Sequence, residues 1–452
     1  MKTYFRLFRG VVLLLPLLNL SCDRMERWSN DEMSVTWFYG FTKLQVRAKG
    51  QFEFTEDDAD IKSISRQGYL LIKERHGMNV RQLEVVQGPD GKLQRSYSLQ
   101  GESRPFNEEA RTWLSHILPE VLRQTGFDAT ARVQRIRRGR GADAVLEEIT
   151  RIKSDRVKSI YFEELIQSND LDSKFLQRVI RQVSQEVSSD GEKGRLLEEI
   201  ANRHFDQITL GAALVEAAGT ISSDGEHGRV LSVLLKKGPL GNESLPQIVD
   251  SAASISSDGE KARILQEVVE DFSSDNRLCA SFFHAVATIS SDGEHRQVLL
   301  DLLRKGGFST DCLIRLLNSA AAIASDGEKA SLLKEVVELY DIDDAPRQAF
   351  FEAVSTISSD GEHRQVLSAL LKKAKLSKET ISQALESGAT ISSDGEKAEI
   401  LIQIARVTPR DNTMTATLLQ AVETLSSDGE YRRVMSALIK NKAFGKELAT
   451  QK

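Results

Sequence analysis

Two hydrophobic periods divide this chain. From Val35 to about Leu99, apolar and polar residues alternate, as in KLQVRAKGQFEF, DIKSISRQGYLLIKE, RQLEVVQ and LQRSYSL. A period of two turns one face of each segment toward a core, which is the pattern of half-buried strands. GPDG at 88–91 fits a tight hairpin loop, and the region predicts a small antiparallel β domain of five or six strands over 34–105. The preceding residues 23–33, DRMERWSNDEM, are polar and read as a tether. At Asn107 the period changes to 3.6. NEEARTWLSHILPEVLRQTG offers Asn107 as an N-cap, two Glu in the first turn and Gly126 as a stop. It opens a helical linker over 106–150.

Beyond residue 150 a longer period is laid over the helical one. The Asp of an SDGE motif stands at 190, 224, 258, 292, 326, 360, 394 and 428, always 34 residues apart, and an eroded ninth copy, IKSDRVKSIYFEELI, precedes them. A fixed period of this length predicts an array of helical hairpins over 151–452. Doubled apolar positions follow each Asp, such as Val230/Leu231 with Leu234/Leu235 and Val298/Leu299 with Leu302/Leu303. Before each Asp come Ile221, Ile255, Ile289, Ile323, Ile357 and Ile391, with slim residues (Ala218, Ala252, Val286, Ala320, Val354, Gly388) one turn earlier. Such broad apolar faces are covered only by stacking one hairpin on the next. The fold class is therefore α+β and multidomain, mainly an α-solenoid behind a small antiparallel β domain.

The motif has the composition of a helix start. Ser precedes every Asp (Ser189, Ser223, Ser257, Ser291, Ser325, Ser359, Ser393, Ser427), and Glu follows three residues after the Ser (Glu192, Glu226, Glu260, Glu294, Glu328, Glu362, Glu396, Glu430). Ser-x-x-Glu is a capping box: the hydroxyl accepts from the third helical N–H, and the Glu reaches back to the N-cap N–H. The acidic pair also faces the positive end of the helix dipole. Gly is expected to supply the tight backbone that reverses direction between packed helices. On this reading no residue of SDGE needs a ligand, although its acidic edge leaves Ca²⁺ as an alternative.

The units alternate. Lys193, Lys261, Lys329 and Lys397 follow the Glu in one set; His227, His295, His363 and then Tyr431 follow it in the other. Histidines two units apart, at about 10 Å per unit, lie too far apart to share a metal ion whose ligands sit near 2 Å. They are expected to be structural, and no metal or cofactor is expected. Second helices end acidic and basic by turns, so Glu270 should lie between Lys236 and Arg304. Five positions after the Asp, Arg229, Arg263, Gln297, Gln365 and Arg433 are candidate partner-contact residues along the second helices.

Composition narrows the classes. A net charge of −6 over 452 residues argues against a dedicated nucleic-acid binder. Arg132, Arg135, Arg137, Arg138 and Arg140 crowd ARVQRIRRGR; a solvated basic helix end is expected there, with anionic headgroups as the alternative. Lys2, Arg6 and Arg9 precede an apolar run, Val11–Leu20, that is too short to span a bilayer, so residues 1–22 read as an export signal. Cys279 and Cys312 do not make a disulfide framework and are expected to be small buried apolar residues.

The signal ends at Ser21-Cys22 and resembles a bacterial lipoprotein signal, which implies lipidation of Cys22. Asn19 departs from that pattern, and an ordinary cleaved signal or an uncleaved anchor is the alternative. AKGQFEFTEDDADIKSISRQGYLLI resembles the opening of adhesin-type β-repeat domains of bacterial envelope proteins. The hairpin array is similar to the HEAT/armadillo class of α-solenoids and lacks the Trp, Leu-Gly and Tyr signature of tetratricopeptide repeats. Degenerate SD-x-EK repeats also resemble extensions found in some bacterial envelope proteins, including relatives of the β-lactam-sensing membrane zinc peptidases, whose His-Glu-x-x-His is missing here. Together these imply a non-enzymatic scaffold anchored in the bacterial cell envelope, binding a protein or peptide partner and touching the membrane through its lipid. A sensory ectodomain of a signalling system is the alternative; a hydrolase with an unrecognised site is a remote one.

Overall fold

The computed structural model describes residues 25–29, 32–204, 210–237, 244–272, 276–373, 375–408 and 412–440. Contacts divide the chain into two units, residues 1–165 and 166–452. Cys22 and the signal-like segment lie outside the described residues.

Among its described residues unit 1 carries nine strands, more than the alternation predicts: β1 (Met25–Ser29), β2 (Glu32–Tyr39), β3 (Thr42–Lys49), β4 (Phe52–Phe54), β5 (Ile61–Ile64), β6 (Tyr69–His76), β7 (Asn79–Gln87), β8 (Leu93–Leu99) and β9 (Glu102–Arg104). Seven form an antiparallel sheet in the order β1-β2-β3-β6-β7-β8-β9, and β4–β5 is a separate hairpin. The expected tether is thus corrected. Met25 pairs with Thr36 and Ser29 with Glu32, so residues 25–29 are an edge strand. Alternate residues point inward: Val35 and Trp37, Leu44 and Val46, Leu70 and Ile72, Leu83 and Val85 are all buried.

The helix predicted from Asn107 is α1 (Glu108–Thr125). Asn107 Oδ1 accepts from Ala110 N at 3.2 Å, and Gly126 ends it in the left-handed region at φ 70°. Its apolar stripe of Trp113, Leu114, Ile117, Leu118 and Val121 shares one core with the sheet, so it packs as the sheet's cover rather than as a linker. Trp113 Nε1 donates to Glu74 Oε2 at 2.8 Å, pinning helix to strand. α2 (Ala129–Arg140), α3 (Ala142–Ile149) and α4 (Asp155–Ile166) follow.

Unit 2 is a helical-repeat solenoid. The first helices of its hairpins are α5 (Ser173–Glu186), α7 (Gly211–Ala218), α9 (Ser244–Ala252), α11 (Asn276–Val286), α13 (Thr310–Ala321), α15 (Arg347–Ser355), α17 (Lys378–Ala389) and α19 (Asn412–Glu423). The second helices are α6 (Asp190–His204), α8 (Asp224–Lys236), α10 (Asp258–Glu270), α12 (Asp292–Lys305), α14 (Asp326–Leu339), α16 (Asp360–Leu371), α18 (Asp394–Val407) and α20 (Asp428–Lys440). First helices stack on first and second on second. The doubled apolar positions fill the space between the two rows and are buried from α6 to α18; in α20 only Val434 and Leu438 are, and Ile439 is exposed. Gly388 shows why a slim residue stands before the turn: a Cβ there would lie 3.0 Å from Ile400 Cγ2. Among the described residues no helix is long and apolar enough to cross a membrane.

Candidate functional site: the seam between repeat units

Every second helix begins at the Asp of SDGE, which places the preceding Ser at the N-cap. Ser257, Ser291, Ser325, Ser359 and Ser427 accept from the N–H of the Glu three residues on, at 3.4–3.5 Å, and Ser189 does so at 3.5 Å. Ser223 and Ser393 hold the same extended N-cap backbone but make no side-chain cap bond. The reciprocal half of the capping box is corrected. The N-cap N–H is taken instead by the Asp one unit earlier.

Thus Ser223, Ser257, Ser291, Ser325, Ser359, Ser393 and Ser427 each donate their backbone N–H to the Asp 33 residues before, at 2.7–2.9 Å. The residue preceding the Ser donates to the same carboxylate in six of these, at 3.0–3.1 Å. Each Asp therefore begins its own helix and fastens the backbone leading into the next. Most of the motif's Glu side chains turn to arginines, while Glu362 accepts from Gln365 at 3.3 Å. Glu226, Glu260 and Glu430 pair with Arg229, Arg263 and Arg433 one turn on, while Arg296 and Arg364 reach forward to Glu328 and Glu396 of the next unit. The role expected of Gly is corrected as well. Gly191, Gly225, Gly259, Gly293, Gly327 and Gly361 lie inside the first helical turn with no positive φ, and a Cβ there would meet nothing within 4 Å.

The Lys/His alternation is a two-letter code buried in the seam. Lys193, Lys261 and Lys329 each donate through Nζ to the carbonyl of Thr220, Thr288 and Thr356, 27 residues on, at 2.9–3.2 Å; Lys397 donates to Thr424 Oγ1 at 3.3 Å. His227, His295 and His363 place Nε2 at 2.8–2.9 Å from the hydroxyls of Ser251, Ser319 and Ser387, 24 residues on. Where Lys passes, the position of that Ser is Ala (Ala217, Ala285, Ala353, Ala421), which leaves room for the longer chain. Burial pushes the three histidines below their ordinary pKa, with Asp224, Asp292 and Asp360 pulling the other way. Burial likewise lowers Lys329 against Asp326 and Asp292.

The five candidate contact positions are all engaged within the array. Arg229 also pairs with Glu198, Arg263 with Glu267 at 2.7 Å, Gln297 donates to Asp301 at 3.0 Å, Gln365 accepts from Lys334 at 3.0 Å, and Arg433 reaches Glu399 at 3.4 Å. The expected Glu270 pairing is corrected: Arg304 pairs forward with Glu335 at 3.1 Å, and Lys305 takes the Glu270 carbonyl at 2.8 Å. So is the reading of the cysteines. Cys279 on α11 and Cys312 on α13 form a disulfide with Cα atoms 6.1 Å apart, because first helices of successive units lie side by side.

In unit 1 the basic cluster is corrected too. Arg132 and Arg135 are buried, whereas Arg138 and Arg140 are exposed. Arg132 donates to Asp58 Oδ2 at 2.6 Å, to Tyr161 Oη at 2.6 Å and to Glu148 Oε1 at 2.7 Å. Arg123 adds a second cation on Glu148 at 2.6 Å, and Arg135 bridges Asp58 and Asp128 at 3.0 and 2.7 Å. Burial pushes the Glu148 carboxyl up, but Arg123 and Arg132 outweigh it and hold the group below the usual carboxylate range. This closed network clamps the β4–β5 loop to α2 and α3.

No family model matches the chain, and no curated protein matches it. Among solved structures, a computationally designed self-assembling cyclic homooligomer is similar over 66% of this chain and 98% of its own, at 14% identity and a TM-score of 0.12. A likeness at that score carries no argument about this chain.

Proposed function

We propose that this chain is a non-catalytic scaffold of the bacterial cell envelope, tethered to a membrane through its N-terminal segment and offering its helical repeats to a protein or peptide partner. The observation that carries the reading is the Asp ladder. Side chains that could have formed a reactive cluster are committed instead to joining each unit to the next. Such a stack is an extended, evenly spaced surface, which suits recognition along its length. The HEAT/armadillo resemblance supports the same use, and the lipoprotein-like signal at Cys22 supports the tether.

Capture of partners from an envelope extract tests the proposal. The mature chain should retain a specific partner, and deletion of residues 166–452 should abolish it. Retention by unit 1 alone would overturn the assignment of binding to the repeats. Mass spectrometry of the mature N-terminus tests the tether: a diacylglyceryl-modified Cys22 is expected, and an unmodified terminus beyond Cys22 removes it.

A further inference from the structure

We propose that one end of the unit 1 sheet is a second membrane contact, at which two neighbouring hairpin tips enter the headgroup layer of a lipid bilayer. This rests on the reading that the segment before β1 is held at a membrane. β2 and β3 are joined through Gly40-Phe41, and β6 and β7 through Gly77-Met78. Both glycines have φ +57°. A two-residue hairpin loop of this kind requires Gly at its first central position and accepts any residue at the second. In both loops the unconstrained position carries a large apolar side chain. Phe41 is 93% exposed and Met78 92%, so neither serves the core.

Strands β3 and β6 are neighbours, which sets the two tips about 10 Å apart. Phe38, 44% exposed, flanks them, with Lys43 Nζ 5.7 Å from its ring centroid. Lys43 and Arg75 are register partners just behind the tips. Apolar side chains foremost with cations one step behind match the order in which a protein meets acyl chains and phosphates. At the other end of the sheet the β7–β8 loop carries Asp90 and Lys92, and among the described residues no large apolar side chain is exposed there.

The chain itself chooses the occupant. β1 runs antiparallel to β2 with Met25 opposite Thr36, so β1 starts at the tip end of the sheet. Cys22 precedes Met25 by three residues, a span of at most about 10 Å. A bilayer that holds Cys22 therefore meets the sheet on the side where Phe41 and Met78 project.

Full-length chains reconstituted into phosphatidylethanolamine/phosphatidylglycerol vesicles with brominated acyl chains test this. The Phe41→Trp and Met78→Trp variants should be quenched well beyond the unsubstituted chain. In a Cys22→Ala background, Phe41→Ser with Met78→Ser should weaken vesicle binding about tenfold or more. Quenching no greater than background, or binding indifferent to residues 41 and 78, overturns the proposal, as does crosslinking of the tips to a protein instead of lipid. The two readings separate cleanly. If Cys22→Ala floats as well as the native chain while the F41W indole is quenched, the Cys22 tether fails and the rim stands. If Cys22→Ala no longer floats while that indole is unquenched in the anchored chain, the tether stands and the rim falls.

Discussion

Within SDGE, two residues of equal recurrence have opposite physical weight. The Asp carboxylate is half-buried and accepts two backbone N–H groups from the following unit, as Asp292 does from Ala324 and Ser325 at 3.0 and 2.7 Å. Asp292→Ala should cost about 1–2 kcal/mol in urea denaturation, and Asp292→Asn, which keeps one acceptor, should cost less. The Gly meets no steric demand. Gly327→Ala should stabilise the array by about 0.5–1 kcal/mol in the same measurement, since Ala loses less backbone freedom in a helix. The same change at Gly388 should destabilise, because its Cβ would press on Ile400. The capping serines were legible because a side-chain hydroxyl at a fixed offset from Glu is a sequence signature. The Asp ladder was not, because its donors are main-chain groups that any residue supplies. The Lys–Thr and His–Ser pairing leaves a trace, the switch from Ala to Ser beside each His, but it emerges only when units are compared two apart.

At the level of elements, pattern located strands and helices better than it said what covers them. The alternation from Val35 to Leu99 marked a sheet with one buried face, yet only the packed structure shows α1 lying on it. β1 was hidden because MERWS at a sheet edge is mostly polar and carries little period-two signal. The arginines of α2 looked solvated because their partners come from far along the chain: Asp58 is 74 residues before Arg132, and Glu148 is 16 after it. Such a network is costly to break on one side. Arg132→Met should lower the stability of unit 1 by about 1–3 kcal/mol, since Tyr161 loses its partner while Asp58 keeps only Arg135 and Glu148 only Arg123. Limited proteolysis within α2 should detect the loss; unchanged resistance would mean the network is dispensable.

For the whole array, the three buried histidines couple stability to pH. Folding holds them below the ordinary histidine pKa of about 6.5, so the unfolded chain binds protons that the folded one refuses. Stability is therefore full above about pH 6.5 and declines as pH falls toward the folded values. Melting at pH 7.5 and 5.5 should show this difference, and H227Q/H295Q/H363Q together should shrink it; an unchanged difference would assign it to other groups.

The Cys279–Cys312 bridge has a mechanical consequence. Each unit holds chiefly to its neighbours, so thermal fraying of such a stack spreads unit by unit, like a zip. A covalent rivet between α11 and α13 is a stop for that zip: disorder arriving from either flank can loosen the neighbours of these two helices without parting them. Amide exchange should accordingly show a plateau of slow protons centred on the riveted pair, and a thiol reductant should let the plateau collapse to the level of its surroundings.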